Sequence, residues 1–244
     1  MQDKGQKVMT NDPHTMSLDM SVVTDPDVAN ALPQLLTEWR ARKQWDTMSV
    51  PARDLHLAIL KAFLNHGQPP KVDPQDKALL DDLEARDLIV MDGETIQHAY
   101  PFSNSDMPHS VTIAGITNHT VCAIDAFGAS AMVGLPGEVR FDCGACGDSV
   151  SVKIGDQGLT LLEVEPKDAR IWAGIVEDGG CAASSQCQSM IGFCSEAHLE
   201  SWRGQQSGDT NGFSFSAAQA LQAGSATFRP FMARDAKPIL QPRE

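Results

Sequence analysis

A chain of 244 residues with 42% hydrophobic and 21% charged content has the make-up of a globular protein of one large domain or two small ones. Its formal net charge of −13 argues against nucleic acid or anionic lipid as the main partner, because both are held by Lys and Arg. No run reaches the ~18 apolar residues a membrane span needs, and no apolar segment follows the charged start, so a cytoplasmic location is expected.

In chain order, residues 1–25 are polar and Met-rich without periodicity and read as a disordered or loosely packed tail. A helix is expected from Asp27 to Gln44, with Leu32, Leu35, Leu36 and Trp39 on one face. A second is expected over Ala52–Asn65, ended by Gly67 and Pro69-Pro70. A third starts at Asp73 as N-cap with Pro74 in the first turn and runs to Arg86, burying Leu79, Leu80 and Leu83. Two apolar runs then meet at Asp92-Gly93, a strong hairpin signal. Helices followed by a hairpin suggest a winged-helix-like module over 26–104. Positions 50–102 nevertheless hold nine acids against five bases, whereas a groove reader needs a basic face. The module therefore reads as a packing domain or lid, not as a DNA-binding one.

After Pro101 the composition turns β-branched and Gly-rich. Ser110–Ile113 and His119–Ile124 read as short strand or strand-to-helix pieces. Glu138–Asp142, Ser149–Ile154, Gly158–Val164 and Ala169–Val176 read as antiparallel strands. Ser195 caps a short helix through Trp202, with Glu196 in the first turn where the dipole favours an acid. A last helix is expected over Ser216–Ala223, and residues 234–244 read as a polar tail. The fold class is α+β: an N-terminal winged-helix-like module, then a core of antiparallel strands with short helices over 105–233.

Six cysteines stand at 122, 143, 146, 181, 187 and 194, all within 73 positions. In a reducing compartment such crowding points to reactive or metal-binding thiols, not disulfides. Cys122-Ala123-Ile124-Asp125 sets a thiol three residues from a carboxylate. The thiolate is the nucleophilic and metal-binding form, and with an ordinary pKa of about 8.5 a cysteine needs a base or a structured site to reach it. A lone cysteine in an apolar run also reads as a small buried hydrophobe. Cys143-Gly144-Ala145-Cys146-Gly147 is a knuckle shape that offers two thiolates to one zinc ion, with Cys187 and Cys194 as looser partners for it. His109, His119 and His198 read as ordinary surface or packed residues, with completion of a metal site by one of them as the alternative. Trp172, Trp202, Phe127 and Phe141 read as core or pocket wall.

The stretch His119–Ala126, with Cys122 and Asp125, resembles the segment of the organomercurial (alkylmercury) lyases, the MerB family, that bears the first catalytic cysteine and its aspartate. Cys143, with Gly147 and Val150-Ser151-Val152 after it, is similar to that family's structural cysteine. Cys187, followed by Phe193-Cys194-Ser195 and Trp202, resembles its second catalytic cysteine. The likeness spans roughly 50–232, and Cys146, Cys181 and Cys194 are additional to the pattern. It implies a lyase that protonolyses carbon–mercury bonds to a hydrocarbon and Hg(II), with Cys122 and Cys187 as mercury-capturing thiolates and Asp125 as proton shuttle and weak third ligand of the product. Cys143 and Cys146 are then structural or accessory thiols. It also implies no organic cofactor, low-molecular-weight thiols for turnover and mercuric reductase as an acceptor of Hg(II). Two thiolates on one mercury atom accord with the softness of the metal. The alternative reading is a non-catalytic zinc or soft-metal-binding protein using Cys143, Cys146, Cys187 and Cys194.

Overall fold

The computed structural model describes residues 18–36, 47–176, 180–206 and 210–232. Helix α1 (Pro26–Leu35) starts at Asp25, whose carboxylate accepts from the N–H groups of Asp27 and Val28, with Pro26 in the first turn. The rest of the helix expected to reach Gln44 lies outside the described residues from 37 on. Helix α2 (Val50–His66) is capped by Ser49 and buries Ile59, Leu60, Phe63 and Leu64. A 3-10 turn over Pro74–Asp76 leads into α3 (Lys77–Ala85).

Strands β1 (Ile89–Asp92) and β2 (Thr95–Ala99) form the expected hairpin. It does not stand apart: β2 pairs with β3 (Phe102–Ser103), and β3 pairs with β5 (Ile116–Thr120). Beyond these come β4 (His109–Ile113), β6 (Gly137–Asp142), β7 (Ser149–Gly155) and β8 (Thr160–Glu165). The result is one antiparallel sheet of eight strands in the order β1-β2-β3-β5-β4-β6-β7-β8. A second sheet has β9 (Arg170–Gly174) between β10 (Met190–Phe193) and β11 (Gly212–Ser216), both antiparallel to it.

Between β5 and β6 the chain forms α4 (Ala123–Val133), where only a strand-to-helix transition was expected. Ala123 through Met132 are all buried, so the helix is buried on every side, Asp125 and Ser130 included, and carries no amphipathic stripe. After α5 (Glu196–Arg203), helix α6 (Ala217–Met232) runs well past the expected end at Ala223. It crosses α4 with almost no space between the backbones. A Cβ on Gly128 would come 2.5 Å from the Gly224 carbonyl oxygen, and one on Gly224 would come 2.6 Å from Gly128 N. The described part of the N-terminal segment lies on α6. Asp19 N–H bonds Ala226 O, Arg229 pairs with the Asp19 carboxylate at 2.7 Å, and Gln222 accepts from the amides of Thr24 and Asp25.

Phe127 and Phe141 pack with ring centroids 6.5 Å apart, and Trp202 lies against both Trp172 and Phe193, so these aromatics form core, as expected. Among the described residues no helix is long and apolar enough to cross a membrane.

Candidate active site and metal-binding clusters

Cys122 ends the extended backbone after β5 and occupies the N-cap position of α4, with φ −147° and ψ 177°. Its carbonyl accepts from Ala126 N–H, the first helical bond, and from the Thr120 hydroxyl at 3.1 Å. Asp125 is the third residue of α4, so the two form a Cys-x-x-Asp counterpart of the capping box, although the sulfur makes no cap hydrogen bond. Both side chains point inward, with Cys122 1% and Asp125 5% exposed.

Cys187 reaches the same spot from a 3-10 turn (Gln186–Ser189) that runs into β10. This turn is pinned at both ends. The Gly174 carbonyl at the end of β9 accepts from Gln186 Nε2 at 2.6 Å and from the Ser189 hydroxyl at 3.1 Å. On the other side, the Asp87 carboxylate accepts from Ala182 N–H at 3.0 Å, and the Tyr100 hydroxyl accepts from Ala183 N–H at 2.8 Å. Tyr100 O–H in turn donates to Asp87 at 3.2 Å. The ligand atoms of Cys122, Asp125 and Cys187 all lie within 4.8 Å of one another, and all three residues are buried. Met190 adds a thioether, its sulfur 3.6 Å from Cys122 Sγ.

Burial favours the protonated forms of Cys122 and Asp125. Burial pushes the Cys122 thiol well above its ordinary value, and the neighbouring Cys187 and Asp125 push it further. Burial also lifts Asp125 to about 7, against the opposing effect of hydrogen bonds from Cys122. One Asp125 oxygen, Oδ2, has no hydrogen-bond partner among the described residues. Burial likewise raises the Tyr100 phenol, with Cys187 and Asp87 adding to the effect.

A second cluster is made by Cys143, Cys146, Cys194 and His198, whose ligand atoms also lie within 4.8 Å of one another. It corrects two expectations. Cys187 is not a partner of the Cys143-x-x-Cys146 knuckle, because its turn faces Cys122. His198 is not an ordinary surface or packed residue: its Nδ1 is 3.0 Å from Cys194 Sγ and 3.5 Å from Cys143 Sγ. Two signals in the sequence were available for it. Ser195 starts α5, and residues 194 and 198 are four apart, which sets them over one helical turn. Burial disfavours the Cys143 thiolate, but hydrogen bonds from the backbone of Cys194, Ala145 and Cys146 and from His198 outweigh it and bring this thiol down to about 6. None of the six cysteines forms a disulfide, and Cys181 belongs to neither cluster, its sulfur lying 3.1 Å from the Ser184 hydroxyl. His109 packs beside Phe141, and His119 bonds the backbone of Met107, both as ordinary packed residues.

No curated protein matches the chain. Among solved structures, a crystal structure of the mercury-bound form of MerB2 superposes with a TM-score of 0.64 over 83% of this chain and 99% of that one, at 16% identity. That likeness is one of fold. Residues 102–229, rather more than half of the chain, match the family model of the alkylmercury lyases, MerB, and this stretch includes Cys122, Asp125 and Cys187. On that match, the chain belongs to the alkylmercury lyase family, enzymes that cleave carbon–mercury bonds.

Proposed function

We propose that Cys122, Cys187 and Asp125 carry out the protonolysis of organomercurials in this member of the family. The observation that carries the reading is the convergence of two buried sulfurs and one buried carboxylate within 4.8 Å, from elements of two different sheets. Mercury is soft and selects thiolates, so the organomercurial cation replaces the proton of one thiol and then of the second. Of the two protons displaced, one passes through Asp125 to the carbon and the other leaves to solvent. The carbon–mercury bond breaks with its electron pair on carbon, the hydrocarbon departs, and Hg(II) remains on the two sulfurs. This is general acid–base work by a carboxyl group whose raised pKa suits both the taking and the giving of a proton near neutrality. The Asp125 oxygen without a hydrogen-bond partner is the one available to the reacting groups.

The chemistry calls for no organic cofactor. Low-molecular-weight thiols then exchange Hg(II) off the two sulfurs, and a mercuric reductase is a fitting acceptor. The succession of α2, α3 and the β1–β2 hairpin supports a winged-helix-like module used for packing. Its hairpin borders the Asp87–Tyr100 tether that holds the Cys187 turn.

The test is steady-state release of benzene from phenylmercury in excess thiol. Cys122→Ser and Cys187→Ser are each expected to lose at least about a thousandfold in rate, the scale of removing a catalytic nucleophile. Wild-type rates in either variant would refute the assignment.

A further inference from the structure

We propose that Cys143, Cys146, Cys194 and His198 hold one structural zinc ion that ties the two sheets together beneath the mercury-capturing trio. Zinc in a closed structural site takes four tetrahedral ligands from Cys and His, at ~2.3 Å to sulfur and ~2.0–2.1 Å to nitrogen. Those bond lengths set ligand-to-ligand distances of ~3.8 Å between two sulfurs and ~3.6 Å between sulfur and nitrogen. The structure has 3.8 Å between Cys146 and Cys194 Sγ and 3.5 Å between Cys143 Sγ and His198 Nδ1. The Cys194–His198 contact, at 3.0 Å, has to open by roughly half an ångström to reach that tetrahedral spacing, and the remaining pairs of ligand atoms lie within 4.8 Å.

The backbone around the first pair is folded as a knuckle. Gly147 N–H bonds the Cys143 carbonyl at 2.8 Å, Asp148 N–H points at Cys146 Sγ at 3.4 Å, and Cys143 N–H bonds Asp148 O at 2.8 Å. Gly147 takes φ +78°, a conformation that a side chain at this turn would strain. The second pair comes from the junction of β10 and α5. Ser195 accepts from His198 N–H, and Glu196 is held by Arg170 and by Asp168, so the first turn of α5 is fixed before any metal binds. Three thiolates and one imidazole, all four positions filled by protein, match zinc in donor type and number. Cys146 is exposed, which leaves the ion a way in.

The position gives the ion a purpose. The knuckle is the turn between β6 and β7 of the large sheet, while Cys194 and His198 belong to the small sheet and its following helix. Gly144 N–H already bonds Gly192 O at 2.9 Å across this junction. From Cys194, β10 runs back through roughly 13 Å of extended chain to Met190. Met190 touches Cys122 and directly follows the turn that bears Cys187. A zinc ion at one end of β10 thus fixes the strand whose other end meets the mercury site. The proposal does not depend on the catalytic reading, and either can fail alone.

The full chain, purified from cells grown with zinc and without mercury, is analysed for metal, then exchanged into cobalt(II) for its visible spectrum. One zinc per chain is expected in the wild type and in Cys122→Ser. After dialysis against a weak chelator, Cys146→Ser and His198→Asn are expected to have lost it. The cobalt form of the wild type should show the intense absorption of a tetrahedral ion with sulfur charge-transfer bands. That measurement decides the matter even where a variant fails to fold. Wild-type protein that carries no zinc and gives only the pale spectrum of octahedral cobalt would overturn the proposal. So would zinc that persists in Cys146→Ser and His198→Asn but disappears in Cys122→Ser.

Discussion

Cys122 is pulled two ways. At the N-cap of α4 the helix dipole favours a thiolate, yet burial disfavours any charge there, and burial prevails. The thiol therefore keeps its proton in the free protein, and in the proposed reaction a soft cation compensates the negative sulfur. Asp125 is buried in the same place and is balanced near neutrality for the same physical reason. Two histidines outside the site respond to burial in the opposite sense. Burial depresses His109 to about 4, and burial with the nearby Arg53 guanidinium depresses His56 to about 3. Each is neutral in the folded chain while the unfolded chain takes up a proton below about pH 6.5. Their contribution is intact above that pH and is lost progressively as the pH falls toward 4 and then 3. Asp125, with its raised value, works against this trend over part of the range. A comparison of variants isolates the histidine effect. Unfolding free energies of the wild type from urea titrations between pH 7 and 4 should fall more steeply than those of His109→Gln, by ~3 kcal/mol in all. Parallel curves would show that His109 does not titrate as its burial requires.

At the scale of elements, α4 and its N-cap carry two of the three groups of the proposed mercury site, and the helix is held by its crossing with α6. Gly128 and Gly224 allow that crossing, since a methyl group on Gly128 would also come 2.5 Å from Phe228. Gly128→Ala should therefore cost about 2–3 kcal/mol through overpacking. Chemical denaturation measures it, and an unchanged midpoint would mean that the two helices can separate freely.

This same helix was hidden in the sequence. An 11-residue segment that is buried on all sides has no 3.6-residue stripe to reveal it, and Val121–Ile124 reads equally well as a strand. By contrast, α2, α3, α5 and the β1–β2 hairpin were legible because caps, prolines and Asp92-Gly93 mark their ends locally. β10 is four residues long without alternation, and β11, although Phe213-Ser214-Phe215-Ser216 alternates, is only five residues long and runs directly into α6. The pairing of Cys122 with Cys187 could come only from family resemblance, because no local rule links residues so far apart in the chain. The knuckle and Cys194 were legible as candidate partners, but the fourth place was given to Cys187 instead of His198, because that choice is made by the packing of the other sheet.

For the molecule as a whole, both clusters join elements that flank the two different sheets. Each draws one part from the large sheet's side and one from the small sheet's: α4 and the Cys187 turn for the trio, the β6–β7 turn and the start of α5 for the tetrad. The proposed mercury site is thus assembled only when the sheets are docked, and the Asp87–Tyr100 tether and the junction around Gly144 and Gly192 hold that docking from two sides.

The central claim is that capture and carbon protonation are separate tasks, with the sulfurs doing the first and Asp125 the second. A single-turnover measurement that counts benzene released and mercury retained per chain from phenylmercury separates them directly. The wild type should release one benzene and keep one Hg(II). Asp125→Asn should still bind the organomercurial while benzene release slows by roughly 10²–10⁴-fold, the usual worth of a general acid. Benzene released by Asp125→Asn at the wild-type rate would contradict the account.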